Sequence, residues 1–347
     1  MFIHICSQIN KFKFKFIFLF VFIFTYSYSI LIYQPLSLFI NDNHEHFRLN
    51  LLSFPYKYIN ISYSTDSNWH LYTIVSISSL MEHSTNKSLW YNIYILTCPC
   101  FSKTAKQRIQ SLSNKYSRLS IIFLSINRKF ANYHPFKSSC SSILRLFLPD
   151  LLPNVQKIIH LDVDTYIFKD LDEMFYLNMT NLHFRGILDN DYYKEMEKFG
   201  FSDDHYINSG VLLMNLDEMR KDHFIESAAD FLKKNGTSIY LVDQLLINIV
   251  SFNKCSLLPL TFGFHNWYCT EKLYKKFFKK PHFFKYYSYE EVHRIIYNLT
   301  IVHFMKKPWN YGMRPPYNRD WALTALKTDF INEISSSCRW IKLFLFL

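Results

Sequence analysis

Lys157-Ile158-Ile159-His160-Leu161-Asp162-Val163-Asp164-Thr165 is a short apolar run that leads directly into two carboxylates one residue apart. A run of this length reads as a buried strand rather than a helix. Ser141–Leu152 before it is patterned as a helix stopped by Pro153. Further upstream, Tyr58–Tyr63 is a β-branched and aromatic strand, and Leu71, Ile74, Val75, Ile77, Ser78, Leu80 and Met81 recur at helical spacing. Tyr91–Leu96 is a second strand, Ser102 caps a polar helix to about Lys115, and Ser120–Ser125 is a third strand. Downstream, strands are expected at Leu182–Leu188, Val211–Asn215 and Leu299–His303, and helices at Asp222–Lys234 and Val242–Ser251. Strands alternating with helices predict right-handed βαβ units, hence an α/β fold with a Rossmann-like, mainly parallel sheet flanked by helices. Ligands of such sheets bind beyond the carboxyl ends of the strands, which is where Asp162 and Asp164 fall.

The composition narrows the chemistry. Only 6 of 347 residues are Gly, so a glycine-rich phosphate loop is not expected. The formal charge of +11 is concentrated in part at Lys272, Lys275, Lys276, Lys279, Lys280 and Lys285, interleaved with Phe277, Phe278, Phe283 and Phe284. No nucleic-acid motif accompanies them, so the stretch reads as a solvated basic face that attracts an anionic substrate, and no nucleic-acid partner is expected.

The N-terminus reads as an address. Phe16 to Ile40 contains no charged residue, and Lys11, Lys13 and Lys15 stand just before it. Basic residues on that side predict a cytosolic N-terminus (1–15), a signal-anchor transmembrane segment (16–40), a stem (41–55) and a lumenal domain (56–325), with a C-terminal tail (326–347). Ser27-Tyr28-Ser29 also offers a cleavage site, which would release a secreted form. Asn60, Asn86, Asn178, Asn235 and Asn298 head sequons, and six of the seven cysteines follow the apolar run, both of which suit an oxidising, glycosylating lumen. Asn60, inside an expected strand, is the poorest acceptor. Single-pass type II placement in the Golgi or endoplasmic reticulum membrane is the expectation.

Asp162 and Asp164 can meet one divalent cation if the strand turns after Leu161, and two carboxylates suit Mg²⁺ or Mn²⁺. The same pair also occurs as a helix cap or solvated turn, so the spacing by itself leaves both readings open.

Context separates them. Arg145-Leu146-Phe147-Leu148-Pro149, then Ile158 to Thr165, then Asn208-Ser209-Gly210-Val211-Leu212-Leu213-Met214-Asn215 resemble glycosyltransferase family 8, in order across roughly residues 57 to 312. The resemblance implies a GT-A type fold and a retaining transfer from a UDP-sugar. It implies that Asp162, Asp164 and His303 hold the metal, Mn²⁺ or Mg²⁺, and that Asp162, Val163 and Asp164 face the nucleotide. Ser64, Thr65, Asp66 and Asn68 correspond to the loop that cradles base and ribose, where Asp66 can accept from uracil N3–H or form an Asx turn or helix N-cap. Arg145 corresponds to the residue reaching the donor sugar or diphosphate, and otherwise would pair with a carboxylate.

By the same resemblance, Asp189 contacts donor hydroxyls, with Asp191 as the competing position, and Asn208 and Ser209 shape the sugar pocket or form a bulge. Asp243 and Gln244 lie below the anomeric carbon. Leu245 stands where many relatives carry Asp, so same-face substitution is expected rather than double displacement. His303 begins His303-Phe304-Met305-Lys306-Lys307-Pro308-Trp309, in which Lys307, or Lys306, binds the diphosphate. Relatives place about two more residues, one of them Gly, between that His and Lys.

The resulting expectation is a metal-dependent hexosyl- or xylosyltransferase acting on a glycan of a glycoprotein or glycolipid. The competing expectation, motivated by Leu245 and the shortened loop, is a catalytically silent lumenal domain of the same fold that binds a glycan or a partner.

Overall fold

The computed structural model describes residues 57–125, 140–189, 196–201, 206–235, 242–265, 285–311 and 317–337. The expected anchor and stem, Asp191 and the basic stretch from Lys272 to Lys280 lie outside them. Among the described residues no helix is long and apolar enough to cross a membrane.

The strands are β1 (Lys57–Thr65), β2 (Leu89–Thr97), β3 (Leu119–Ser125), β4 (Lys157–Leu161), β5 (Thr165–Ile167), β6 (Phe184–Leu188), β7 (Ile207–Asn215), β8 (Cys255–Leu257), β9 (Phe264–His265) and β10 (Ile301–His303). Seven of them form one sheet in the order β3-β2-β1-β4-β7-β6-β8. The alternation of strands and helices produces the expected mainly parallel pairing: β1 runs parallel to β2 and β4, β2 to β3, and β6 to β8. β7 is inserted antiparallel between β4 and β6.

Successive side chains feed two apolar layers, as a sheet covered on both faces requires. On β2, Tyr91, Ile93 and Ile95 join the cluster that holds Ile74, Val75, Ile77 and Leu80 of α1 (His70–His83), whereas Tyr94 and Leu96 join the opposite layer with Leu144, Leu212 and Met219. Each fully buried Ile or Leu in these layers contributes roughly 1.5–3 kcal/mol relative to exposure.

Three expected elements differ in detail. The helix after Ser102 breaks at Ser111, whose hydroxyl donates back to the Arg108 carbonyl, leaving α2 (Lys103–Gln110) and a short turn Leu112–Lys115. Ser141–Leu152 is not one helix: a 3₁₀ turn, Leu144–Phe147, separates Cys140–Ile143 from Leu148–Leu151, which carries Pro149 in its first turn. Proline suits a helix start, not its interior. β7 begins at Ile207, so Asn208-Ser209-Gly210 lie within the strand, and the bulge falls opposite them between Gly186 and Leu188 of β6.

A second sheet, β5-β10-β9, is anchored by antiparallel pairing of His303 with Thr165. β5 and β9 are too short to show periodicity. The helices α3 (Phe224–Asn235) and α4 (Val242–Val250) flank the β7 side. At the C-terminal end, α5 (Asn318–Leu326) and α6 (Ile331–Ser337) add Trp321 and Ile334 to the main core. Glu333 of α6 pairs with Arg108 at 2.8 Å.

Candidate active site

The site draws on seven chain segments: the carboxyl ends of β1, β4, β6 and β10, the 3₁₀ turn at Arg145, the start of β7 and the start of α4. β4 delivers Asp162, and a turn closed by the Thr165 hydroxyl donating to the Asp162 carbonyl at 2.8 Å delivers Asp164. The Asp162 amide donates to the Gly210 carbonyl of β7 at 2.8 Å. The Phe304 amide donates to the Asp164 carbonyl at 2.9 Å, which places His303 beside both carboxylates.

One ligand atom each from Asp162, Asp164 and His303 lies within 4.8 Å of the others. His303 Nε2 is 3.3 Å from Asp164 Oδ1 and 3.9 Å from Asp162 Oδ2, and its Nδ1 is buried with no hydrogen-bond partner among the described residues. The imidazole packs over Gly210, where an added Cβ would stand 2.7 Å from Nε2. Oxygen donors with one imidazole fit Mn²⁺ or Mg²⁺. Burial raises the pKa of Asp162, but Arg145, His160 and His303 outweigh it and hold the carboxyl well below the usual range. Burial lowers His303, opposed by Asp162 and reinforced by Arg145. An ionised carboxylate and a neutral imidazole are the states a divalent cation requires. Lys307 Nζ lies against Asp164 Oδ2. It reaches this carboxylate even though the loop from His303 is short.

Arg145 links this cluster to a second one. Its buried guanidinium pairs with Asp162 Oδ1 at 2.8 Å and Asp243 Oδ2 at 3.5 Å, and donates to the carbonyls of Ser142 and Ser209. The 3₁₀ turn thus draws inward a side chain that an unbroken helix would leave on its surface. Of the two roles expected for it, carboxylate pairing is the one the structure shows.

The second cluster is a hydrogen-bonded wall. Asp189 Oδ2 accepts from Asn208 Nδ2 at 3.1 Å and Gln244 Nε2 at 3.2 Å. Gln244 Oε1 accepts from the Ser209 amide at 3.0 Å, so both ends of the Gln244 amide are oriented. Asn208 Oδ1 accepts from the Gly210 amide, and Ser209 Oγ reaches Asp243 Oδ2 at 3.4 Å. All five side chains are buried. Burial, opposed by Arg145 and reinforced by Asp162, raises the Asp243 carboxyl. Leu245 packs instead in an apolar cluster with Met196, Tyr206 and Ile249.

In the loop after β1, Asp66 Oδ1 accepts from the amides of Asn68 and Trp69 at 2.8 and 3.2 Å, an Asx turn that precedes α1, whose N-cap is Trp69 with no side-chain cap. Ser64 and Thr65 are buried, the Ser64 hydroxyl without a partner among the described residues, while Asn68 is exposed. Val163 is half-buried against the main core. Trp309, six residues after His303, stacks on Tyr72 of α1 with ring centroids 3.8 Å apart and planes 9° from parallel, which ties the Lys-Pro-Trp element to this loop.

Two buried groups beside the cation cluster were not foreseen. His160 sits two residues before Asp162, and the ring of His265 lies 5.3 Å from that of His303. The strand period of two, which puts His160 and Asp162 on one face, was the available sign for the first. His265 depends on β9 pairing with β10, which no local pattern announces.

Comparison with known proteins gives a match to glycosyl transferase family 8 over residues 60–312. A putative glycosyltransferase of Haemophilus influenzae is 26% identical over 215 residues, 59% of this chain and 63% of that protein. The lipopolysaccharide 1,2-glucosyltransferase of Escherichia coli is 23% identical over 298 residues, 81% of this chain and 79% of the relative. Among solved structures, the bifunctional glycosyltransferase WbbM superposes with a TM-score of 0.66 at 19% identity, covering 80% of this chain and 51% of WbbM. The galactosyltransferase LgtC, solved with donor and acceptor sugar analogues, superposes with a TM-score of 0.62 at 16% identity, covering 78% of this chain and 96% of LgtC. These two share the fold. The chain spans less than two thirds of the Haemophilus relative and about half of WbbM.

Proposed function

We propose, from the premise that this chain belongs to glycosyl transferase family 8, that it moves a hexose or xylose from a UDP-sugar to a hydroxyl of a glycan acceptor with retention at the anomeric carbon. The observation that carries the proposal is the convergence of Asp162, Asp164 and His303 within 4.8 Å, joined through Arg145 to the wall of Asp243, Ser209, Gln244 and Asp189.

Asp162, Asp164 and His303 would hold Mn²⁺ or Mg²⁺, which when bound supplies Lewis-acid neutralisation of the diphosphate charge. Lys307 adds a point charge for the same diphosphate. Ser64, Thr65, Asp66 and Asn68 cradle the uridine, Asp66 through the carboxylate oxygen its turn leaves over. Asp189, oriented by two amide N–H groups at Oδ2, contacts the donor sugar's hydroxyls. Gln244 is an amide and Leu245 an aliphatic side chain in the apolar cluster, and Asp189 and Asp243 are engaged by Asn208, Gln244 and Arg145, so among the described residues no free carboxylate nucleophile is offered for a double displacement. The acceptor hydroxyl therefore attacks from the face the diphosphate leaves, and its proton passes to the departing phosphate. Placement in the lumen of the Golgi or endoplasmic reticulum behind the 16–40 anchor belongs to the same proposal, supported by the uncharged run and the sequons.

The test is UDP release by the purified full chain with UDP-glucose, UDP-galactose and UDP-xylose, with and without Mn²⁺ and candidate glycans. Metal-dependent release that Asp162→Asn abolishes is expected. Folded protein that neither releases nor binds UDP would sink the enzyme reading; UDP binding without turnover on any acceptor would favour the silent domain.

A further inference from the structure

His160 is fully buried near the end of β4, and its neighbourhood has one unsettled atom. Nδ1 lies 2.9 Å from the Ser62 hydroxyl of β1, whose residue is its register partner in the sheet. Nε2 has no hydrogen-bond partner among the described residues, yet it faces Asp162 Oδ1 at 3.7 Å. A buried N–H without an acceptor costs about 1–3 kcal/mol, which a small closure onto the carboxylate would recover.

The tautomer follows from the two neighbours. A carboxylate can only accept, whereas a hydroxyl can donate. Ser62 therefore donates to Nδ1, and the proton resides on Nε2, aimed at Asp162. The two oxygens of Asp162 are then divided: Oδ1 faces Arg145 and His160, and Oδ2 faces His303.

We propose that His160 is a positioning residue of the cation site, its Nε2–H steering Asp162 Oδ1 so that Oδ2 is presented to the metal, with Ser62 fixing the ring's tautomer. This rests on the metal reading of Asp162, Asp164 and His303. Hydrogen-bonding partners behind a metal ligand contribute about 10- to 100-fold in affinity, and Ser62–His160–Asp162 is such a chain built across two strands of the sheet.

The experiment is a titration of the metal-free full chain with Mn²⁺, read by the electron paramagnetic resonance signal of the free ion, alongside thermal unfolding in chelator. His160→Leu is expected to weaken Mn²⁺ binding by about 10- to 100-fold with little change in the metal-free midpoint, because it also removes an unsatisfied buried nitrogen. His160→Gln, which keeps an amide N–H within reach of Asp162, recovers most of the affinity, as a merely space-filling role would not require. Ser62→Ala, which leaves the ring in place, shifts affinity in the same direction as His160→Leu and serves if that variant does not fold. Native affinity in folded His160→Leu, or in Ser62→Ala, overturns this inference alone. Failure of the unaltered protein to bind Mn²⁺ overturns the metal reading together with it.

Discussion

Gly210→Ala probes how closely the cation cluster is built. Gly210 lies in β7 with its amide donating to Asn208 and its carbonyl accepting from Asp162, so the backbone is already committed on both sides. What excludes a side chain is His303: a Cβ would stand 2.7 Å from Nε2 and 2.8 Å from Nδ1, where ordinary contact begins at 3.4 Å. The ring's Cε1 would lie closer still, so the ring must retreat by more than the roughly 0.7 Å that its nitrogens require. Its backbone cannot follow, because β10 is paired on both edges, with β5 and β9. Metal–ligand distances tolerate only about 0.2 Å, so the displaced imidazole drops out of the ligand set. The expected result is a loss of Mn²⁺ affinity of about tenfold or more, with an overpacking cost of about 1–3 kcal/mol. Gly263→Ala is the control: its Cβ would meet Ile187 at 2.6 Å, away from the ligands, so it costs stability and leaves metal binding alone. Titration with Mn²⁺ and thermal unfolding in chelator read both quantities. A Gly210→Ala protein with native metal affinity would refute the reasoning.

Arg145→Met strips the charge partner from buried Asp243 and half-buried Asp162, and chemical denaturation should show a loss of about 3–5 kcal/mol; an unchanged midpoint would contradict the ion-pair assignment. Asp170→Asn should cost about 2–3 kcal/mol because the carboxylate accepts from Ser84, Thr85, Asn86 and Tyr91, while UDP binding stays intact, since that cluster only ties the α1–β2 turn to the loop that follows β5. Metal-free protein should also lose stability as pH falls from about 6.5 towards 4. Burial holds His160 (to about 4), His183, His265 and His303 below the ordinary imidazole value, so the unfolded chain binds more protons in that window. A flat unfolding midpoint across that range would refute it.

The long elements of the fold were legible because their side-chain periods are local. β1, β2, β3, β4 and α1 appear within a few residues of where alternation and helical spacing place them. Arg145 shows where local reading stops: a helical pattern around it is interrupted by Pro149, and the resulting turn buries its guanidinium between carboxylates from two other segments. The meeting of His303 with Asp164 depends on β10 pairing with β5, a three-residue strand that carries no pattern of its own. Leu245, singled out in the sequence only as a position where many relatives carry Asp, packs in an apolar cluster, because one step along a helix from Gln244 turns a side chain by about a quarter of a turn or more. The Asp189–Gln244–Asn208 wall drew its members from three separate segments, so its residues were nameable from the family resemblance while their mutual hydrogen bonds were not.

The central claim is that Asp162, Asp164 and His303 form one cation site serving a uridine diphosphate sugar. Calorimetric titration of the full chain with Mn²⁺ and UDP, repeated for Asp164→Asn and His303→Ala, tests it most directly. Mutually dependent, one-to-one binding of Mn²⁺ and UDP that either substitution weakens by about tenfold or more is predicted. Equal binding by all three proteins would contradict it.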